Sequence, residues 1–192
     1  SKVHVVPISL RTDVVPEVDY SQKEDFCLHV SRLASWGKNV PRLVEAAKKY
    51  GFNLKLAGTL HGEERQWLDK LIAGADNIEY LGRLSDEELF ECYRKAKVFA
   101  LPSIVEGVGS VALEAAISGC EIVLTDIGGP KEYYDGRAVL VNPYDVDSIG
   151  KGVMEAFESK KAQPELREYI LKNYSLAACS KKLEDALYKG LH

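Results

Sequence analysis

The sequence predicts an α/β fold in which a parallel sheet is sandwiched between helices. Short β-rich apolar runs alternate with longer helical segments, the order that a parallel sheet with helical crossovers requires. The strand-like runs are near-continuously apolar rather than alternating, as strands buried on both faces are. The 192 residues, 46% hydrophobic and 28% charged, have ordinary globular composition and suffice to bury the core of one domain.

Taken in order, residues 3–7 form a first extended run and Phe26-Cys27-Leu28-His29-Val30 the next strand. The stretch between Asp13 and Asp25, with Pro16 and several charges, reads as a surface loop or linker. Pro41 to Tyr50 is expected to be a helix: Leu43, Val44, Ala46 and Ala47 are apolar, Pro41 suits a first turn, and Gly51 stands at the end. Asn53 to Ala57 reads as a strand closing at Gly58, Gly62 to Ile72 as a polar-faced helix, and Ile78 to Leu81 as a strand closing at Gly82. Ser85-Asp86-Glu87-Glu88 is a capping box that opens a helix through Lys95. Val98–Leu101, Ile122–Leu124 and Ala138–Val141 are further strands, with a helix from Ser110 to Ser118 stopped by Gly119. Three helices finish the chain: Val146–Glu158, Pro164–Asn173 and Ser175–Lys189, the last with Ser175 as its cap. No internal repeat or low-complexity segment interrupts this order. In such sheets ligands lie outside the carboxyl ends of the strands, so functional residues are expected just after strands.

Composition excludes several functions. Twenty-five basic and 29 acidic residues give a net charge of −4, which disfavours general binding to nucleic acid or an anionic membrane. No apolar stretch approaches the roughly 18 residues of a transmembrane helix, and no signal peptide is expected. Cys27, Cys92, Cys120 and Cys179 form no C-x-x-C pair and no zinc-like spacing with His4, His29, His61 or His192, so all four read as buried free thiols in a reducing cytosol. The chain opens at Ser1, directly on a strand-like run, which suggests an excised domain.

The sharpest chemical signal is the segment Pro102-Ser103-Ile104-Val105-Glu106-Gly107-Val108-Gly109-Ser110, leading from a strand into a helix that carries Glu114. Glycines let backbone approach a ligand closely. The exposed N–H groups and positive end of a helix favour a phosphate. This segment resembles the E-x7-E motif of family 4 retaining glycosyltransferases with the GT-B fold, whose glutamates would be Glu106 and Glu114. Val30-Ser31-Arg32-Leu33 followed by Lys38 is similar to that family's G-R-L…K segment. Leu81-Gly82, Tyr93 to Ser103, Gly119-Cys120-Glu121-Ile122-Val123 and Gly128-Gly129-Pro130-Lys131-Glu132 follow in the family's order. The resemblance runs from about Phe26 to Leu191.

The resemblance implies one Rossmann-like half of a GT-B enzyme: residues 1–192 as the nucleotide-sugar donor domain, with an acceptor-binding domain preceding it in the family. Glu106 would contact donor-sugar hydroxyls and Glu114 the ribose hydroxyls. Arg32 and Lys38 would hold the diphosphate, and the backbone of Gly107, Val108, Gly109 and Ser110 would cradle it. The base would lie around Tyr80 to Arg83, with Gly82 in that turn. A UDP-sugar is the expected donor, with GDP- and ADP-sugars as alternatives, and neither a cofactor nor a metal is implied. The acceptor would be a sugar or lipid-linked sugar held by the other domain, and the location cytoplasmic, with peripheral attachment at the inner membrane face as an option through that domain.

The chain departs from the family pattern at three places. Gly37 occupies the usual lysine slot, one residue before Lys38; Ser31 replaces a glycine; and Val5-Val6-Pro7-Ile8-Ser9 lacks the Asn-Gly turn of the interdomain linker. Gly128-Gly129 reads either as a tight turn beside the sugar or as a simple strand-to-helix turn. Asp145-Val146-Asp147 matches a metal-binding D-x-D pattern, but its place before a helix explains the acids as cap and first-turn residues. His61 has at most a peripheral role. Three other readings remain: a nucleotide-sugar epimerase, a non-catalytic nucleotide-sugar-binding module, and a dinucleotide oxidoreductase domain. The last is disfavoured because no G-x-G-x-x-G follows the first strand.

Overall fold

Apolar side chains on both faces of the central strands demand cover on both sides. The computed structural model, which describes residues 6–10, 17–134, 136–158 and 162–190, provides it. Six strands form one parallel sheet: β1 (Glu24–Val30), β2 (Leu54–Ala57), β3 (Ile78–Gly82), β4 (Ala96–Leu101), β5 (Glu121–Thr125) and β6 (Val139–Val141). The helices are α1 (Val40–Tyr50), α2 (Glu63–Ile72), α3 (Asp86–Lys95), α4 (Ser110–Ile117), α5 (Val146–Glu158), α6 (Glu165–Tyr174) and α7 (Leu176–Gly190).

The period-2 alternation of strand side chains sorts them into two cores. Phe26, Leu28, Phe99, Leu101, Ile122 and Leu124 meet Tyr93 of α3, Leu113 of α4 and Ile170 of α6 on one face. Cys27, Leu54, Leu56, Val98, Ala100 and Val123 meet Leu43 of α1, Leu68 of α2 and Val153 of α5 on the other. α5 packs especially closely. A Cβ on Gly150 would lie 2.2 Å from the Tyr50 ring, and one on Gly152 2.4 Å from Val141.

The strand order is β3-β2-β1-β4-β5-β6. The chain builds outward from β1 through β2 to β3, then crosses to β4 on the other side and builds outward again. The direction therefore reverses between β1 and β4, and sheets of this type bind ligands at such a point, outside the carboxyl ends of the strands.

Element boundaries agree with the sequence reading to within a residue or two, including the α3 capping box, in which Glu88 N donates to Ser85 Oγ (3.3 Å) and Ser85 N to Glu88 Oε2 (2.8 Å). Ser85 and Glu88 are neighbours in sequence, so the signal is local. Ser175 caps α7 through Ala178 N at 3.2 Å. Three short 3-10 turns, Tyr20–Gln22, Trp36–Lys38 and Pro130–Tyr133, are additional. Of the first extended run, residues 3–5 lie outside the described residues, and Val6 and Pro7 belong to no strand. The stretch from Asp13 to Asp25 is less of a loop than its composition suggests. Residues 13–16 lie outside the described residues, but β1 already begins at Glu24, and Lys23 Nζ donates to the carbonyls of Tyr93 (3.0 Å), Ala96 (3.0 Å) and Ser118 (2.8 Å), collecting the ends of α3 and α4.

Candidate functional site

The loops after β1 and β4 meet at the switch point. The Gly37 carbonyl accepts the N–H groups of Ile104 (2.8 Å) and Val105 (3.3 Å), and a Cβ on Gly37 would lie 3.4 Å from that of Val105. This explains glycine in the usual lysine slot: the slot is filled by the neighbouring loop. Lys38 stands one residue on, in the Trp36–Lys38 turn, and its Nζ reaches Glu106 Oε2 at 2.6 Å. Ser103 Oγ donates to the same oxygen (3.1 Å) and Gly107 N to Oε1 (3.2 Å). The Glu106 side chain is 10% exposed and that of Lys38 27%, so Glu106 is an anchored, charge-paired carboxylate rather than a solvated loop acid.

Gly109 adopts a left-handed conformation (φ 67°) at the head of α4, where no side chain caps the helix. The first-turn N–H groups of α4, which begins at Ser110, thus lie at the positive end of the helix dipole, with Gly109 packed beside Glu106, where an added Cβ would lie 3.7 Å from its side chain. Gly128-Gly129 packs on the same loop: a Cβ on Gly129 would sit 3.0 Å from the Gly107 carbonyl. Glu114 lies one turn inside α4, half-buried, and accepts the Tyr93 hydroxyl at 3.4 Å. Burial pushes its carboxyl above the usual range, and the Tyr93 hydrogen bond offsets part of that.

Arg32 stands apart from this cluster. Its side chain is 70% exposed and its guanidinium lies 3.6 Å from Glu64, whose other oxygen accepts His61 N at 2.8 Å. Ser31, Arg32, Gly58, Thr59 and His61 line a cavity of about 370 Å³ at the ends of β1 and β2. Gly82 closes the third loop: its carbonyl accepts Gly58 N (2.9 Å), while Tyr80 OH donates to the Gly58 carbonyl (2.9 Å).

Two residues of this region escaped the sequence reading. His29, fully buried in β1, places Nδ1 2.8 Å from the Ala100 carbonyl and Nε2 2.7 Å from Ser31 Oγ; burial pushes its pKa down to about 4. A histidine inside an otherwise apolar strand was the available signal. Asn39 is buried and donates to the carbonyls of Pro102 (2.9 Å) and Pro143 (2.6 Å), so one carboxamide joins the loops after β1, β4 and β6.

Asp145 Oδ1 accepts Asp147 N (2.8 Å) at the head of α5, and Asp147 pairs with Lys49 (2.6 Å) and the Tyr50 hydroxyl (2.9 Å), so the D-x-D match is structural. The four cysteines are free; Cys27, Cys120 and Cys179 are buried, but Cys92 on α3 is only partly so, because its helix carries few buried residues. Among the described residues no helix is long and apolar enough to cross a membrane.

The profile of the family described as Glycosyl transferases group 1 matches residues 13–173. The chain belongs to that family. It is 31% identical over 157 residues to the uncharacterized glycosyltransferase MJ1607 of Methanocaldococcus jannaschii, a match covering 78% of this chain and 39% of that protein. It is 26% identical over 180 residues to the O-antigen biosynthesis glycosyltransferase WbnH of Escherichia coli, covering 90% of this chain and 51% of WbnH. Sucrose-phosphate synthase from Thermosynechococcus elongatus superposes with a TM-score of 0.81 at 20% identity over 97% of this chain and 52% of its own. Anabaena Alr3699/HepE, solved in complex with UDP and glucose, superposes with a TM-score of 0.75 at 19% identity, over 87% of this chain and 49% of its own. These two likenesses show the fold. This group 1 glycosyl transferase chain therefore has the Rossmann-like GT-B architecture that its motifs imply, and it spans about half the length or less of these relatives.

Proposed function

We propose that the chain is the donor-binding domain of a retaining glycosyltransferase that takes a nucleotide-diphospho-sugar at the carboxyl ends of β1 and β4. The observation that carries this reading is the Lys38–Glu106 pair, 2.6 Å across the switch point beside the uncapped head of α4. A sugar diphosphate needs an acceptor for its hydroxyls and positive charge for its phosphates side by side, and this pair supplies both.

In this reading Glu114 accepts hydrogen bonds from both hydroxyls of the ribose, as a carboxylate can from a cis-diol. Glu106, held by Lys38, Ser103 and Gly107, accepts from the sugar. Lys38 has three N–H donors; one holds Glu106, leaving two for a phosphate. Arg32 exchanges Glu64 for the diphosphate, where its planar fork suits bidentate contact. Breaking the sugar–phosphate bond leaves a nucleoside diphosphate whose growing negative charge is stabilised by Lys38, Arg32 and the α4 N–H groups. Those groups supply positive charge at the phosphates, and the reading is of metal-independent transfer. The HepE complex with UDP and glucose supports UDP as the first donor base to test, ahead of GDP and ADP. The acceptor, a sugar or lipid-linked sugar, is held by a second domain.

Calorimetric titration with UDP, GDP and ADP, in buffer containing a chelator, tests the assignment. One diphosphate is expected to bind selectively, and Glu114→Ala to weaken it by about 1.5–3 kcal/mol, or roughly 10- to 100-fold. Equal binding by parent and variant overturns the site; binding that vanishes with chelator overturns metal independence.

A further inference from the structure

We propose that Ser31 determines specificity within the donor site: His29 fixes its hydroxyl so that it accepts, and does not donate, a hydrogen bond from an O–H or N–H group of the bound nucleotide sugar. The proposal rests on the donor-site reading above.

His29 is the penultimate residue of β1 and has no exposed surface. Its Nδ1 lies 2.8 Å from the Ala100 carbonyl oxygen, which has only lone pairs to offer, so Nδ1 carries the ring proton. Burial keeps the imidazole neutral, and a neutral ring has a single N–H. Nε2 is therefore a bare acceptor, and the only way to satisfy its 2.7 Å contact with Ser31 Oγ is for the serine to donate. A serine hydroxyl has one proton, and this one is committed. What Ser31 retains is lone-pair capacity.

The backbone beneath that hydroxyl is also fixed. Ser31 N donates to the Ala57 carbonyl at 3.2 Å, and the Ser31 carbonyl is wedged against Gly58, where a Cβ would come within 1.9 Å. Ser31 lines the 370 Å³ cavity with Arg32, Thr59 and His61. The two adjacent residues thus sort the chemistry of a ligand. Arg32 offers only donors and suits phosphate oxygens. Ser31, as held, offers only an acceptor; it mismatches a phosphate oxygen and matches a hydroxyl or an N–H. The glycine that the resembling family carries at this position has no such group, so the preference belongs to this chain.

The test compares the chain as it stands with Ser31→Ala and Ser31→Thr, titrated with UDP-glucose, UDP and inorganic pyrophosphate. Ser31→Ala is expected to weaken nucleotide or nucleotide-sugar binding roughly 3- to 10-fold while leaving pyrophosphate unchanged, and Ser31→Thr to restore affinity. A loss shared by UDP and UDP-glucose places the donating group on the nucleoside; a loss confined to UDP-glucose places it on the sugar. Imidazole ¹⁵N spectra provide a readout that a structural role would not move. His29 is expected to carry its proton on Nδ1, and its Nε2 resonance to shift on adding UDP-glucose in the parent but not in Ser31→Ala, because a bond accepted by Ser31 polarises the one it donates. Equal weakening of pyrophosphate, a proton on Nε2, or unchanged binding by Ser31→Ala each overturns the proposal. If Ser31→Ala binds normally while Glu114→Ala does not, only the Ser31 role falls. If neither variant alters binding, the donor-site reading falls and the Ser31 role with it.

Discussion

Glu106 is nearly buried and its charge is met by Lys38, so the two can be separated experimentally. Lys38→Ala leaves a largely desolvated carboxylate without its cation, and is expected to lower unfolding stability by about 1–3 kcal/mol and to weaken diphosphate binding. Glu106→Gln keeps the shape and releases the lysine; diphosphate binding should hold or tighten, while transfer, assayed with the proposed acceptor domain attached, should fall by about 10²-fold or more. Loss of diphosphate affinity in Glu106→Gln, measured by calorimetry, overturns this division of roles. His29 has a distinct signature. Its folded pKa of about 4 lies below its ordinary value of 6.5, so between these pH values the unfolded chain binds a proton that the folded chain does not. Stability from this residue therefore rises with pH across that window, by up to about 3 kcal/mol, and is complete above it. Denaturant unfolding at pH 4.5 and 7 should show a smaller pH difference for His29→Gln than for the parent. At this scale the residue types were legible, because Glu106 and Glu114 stand in one continuous segment. Their partners were not: Lys38 is 68 residues from Glu106, and no local pattern records the contact.

Helices and strands were legible wherever their determinants are local, as at Ser85 and Glu88 or in the apolar run of β4. The turn at Trp36–Lys38 was not, because its shape is set by Ile104 and Val105 donating to Gly37 from another strand's loop. The loop at the head of α4 depends on the same kind of non-local fit. The head of the helix requires a left-handed residue, and a Cβ on Gly109 would also press Leu101 at 3.3 Å. At the head of α2, Glu64 both accepts His61 N and neutralises Arg32. The Arg32–Glu64 pair is largely exposed on the arginine side and is worth at most about 1 kcal/mol. Glu64→Gln should therefore keep the fold and tighten diphosphate binding by no more than about fivefold, with a stronger dependence on salt. Weaker binding in that variant would show that Arg32 does not face the phosphates.

Parallel pairing was predictable from strand–helix alternation, but the order of the strands was not, since it follows from which apolar faces find one another across the whole chain. That order sets the switch point between β1 and β4 at which the proposed donor site lies. With the acceptor held by a second domain, as proposed, the chain is expected to bind a nucleoside diphosphate by itself but to transfer sugar slowly, because these residues alone would not orient the acceptor. A transfer rate comparable with that of the enzyme joined to its acceptor domain would refute this. The hydrogen bonds among the loops carry a consequence for redesign. Asn39 binds the loops after β1, β4 and β6 to one another, while Gly58 is hydrogen-bonded to Gly82 and Tyr80 and packs against the Ser31 carbonyl, joining the loops after β1, β2 and β3. The rim is thus two blocks sharing a single seam along the β1 loop. A graft meant to alter donor preference has to move one block intact; a loop transplanted alone would carry its side chains into a frame that no longer holds them in place.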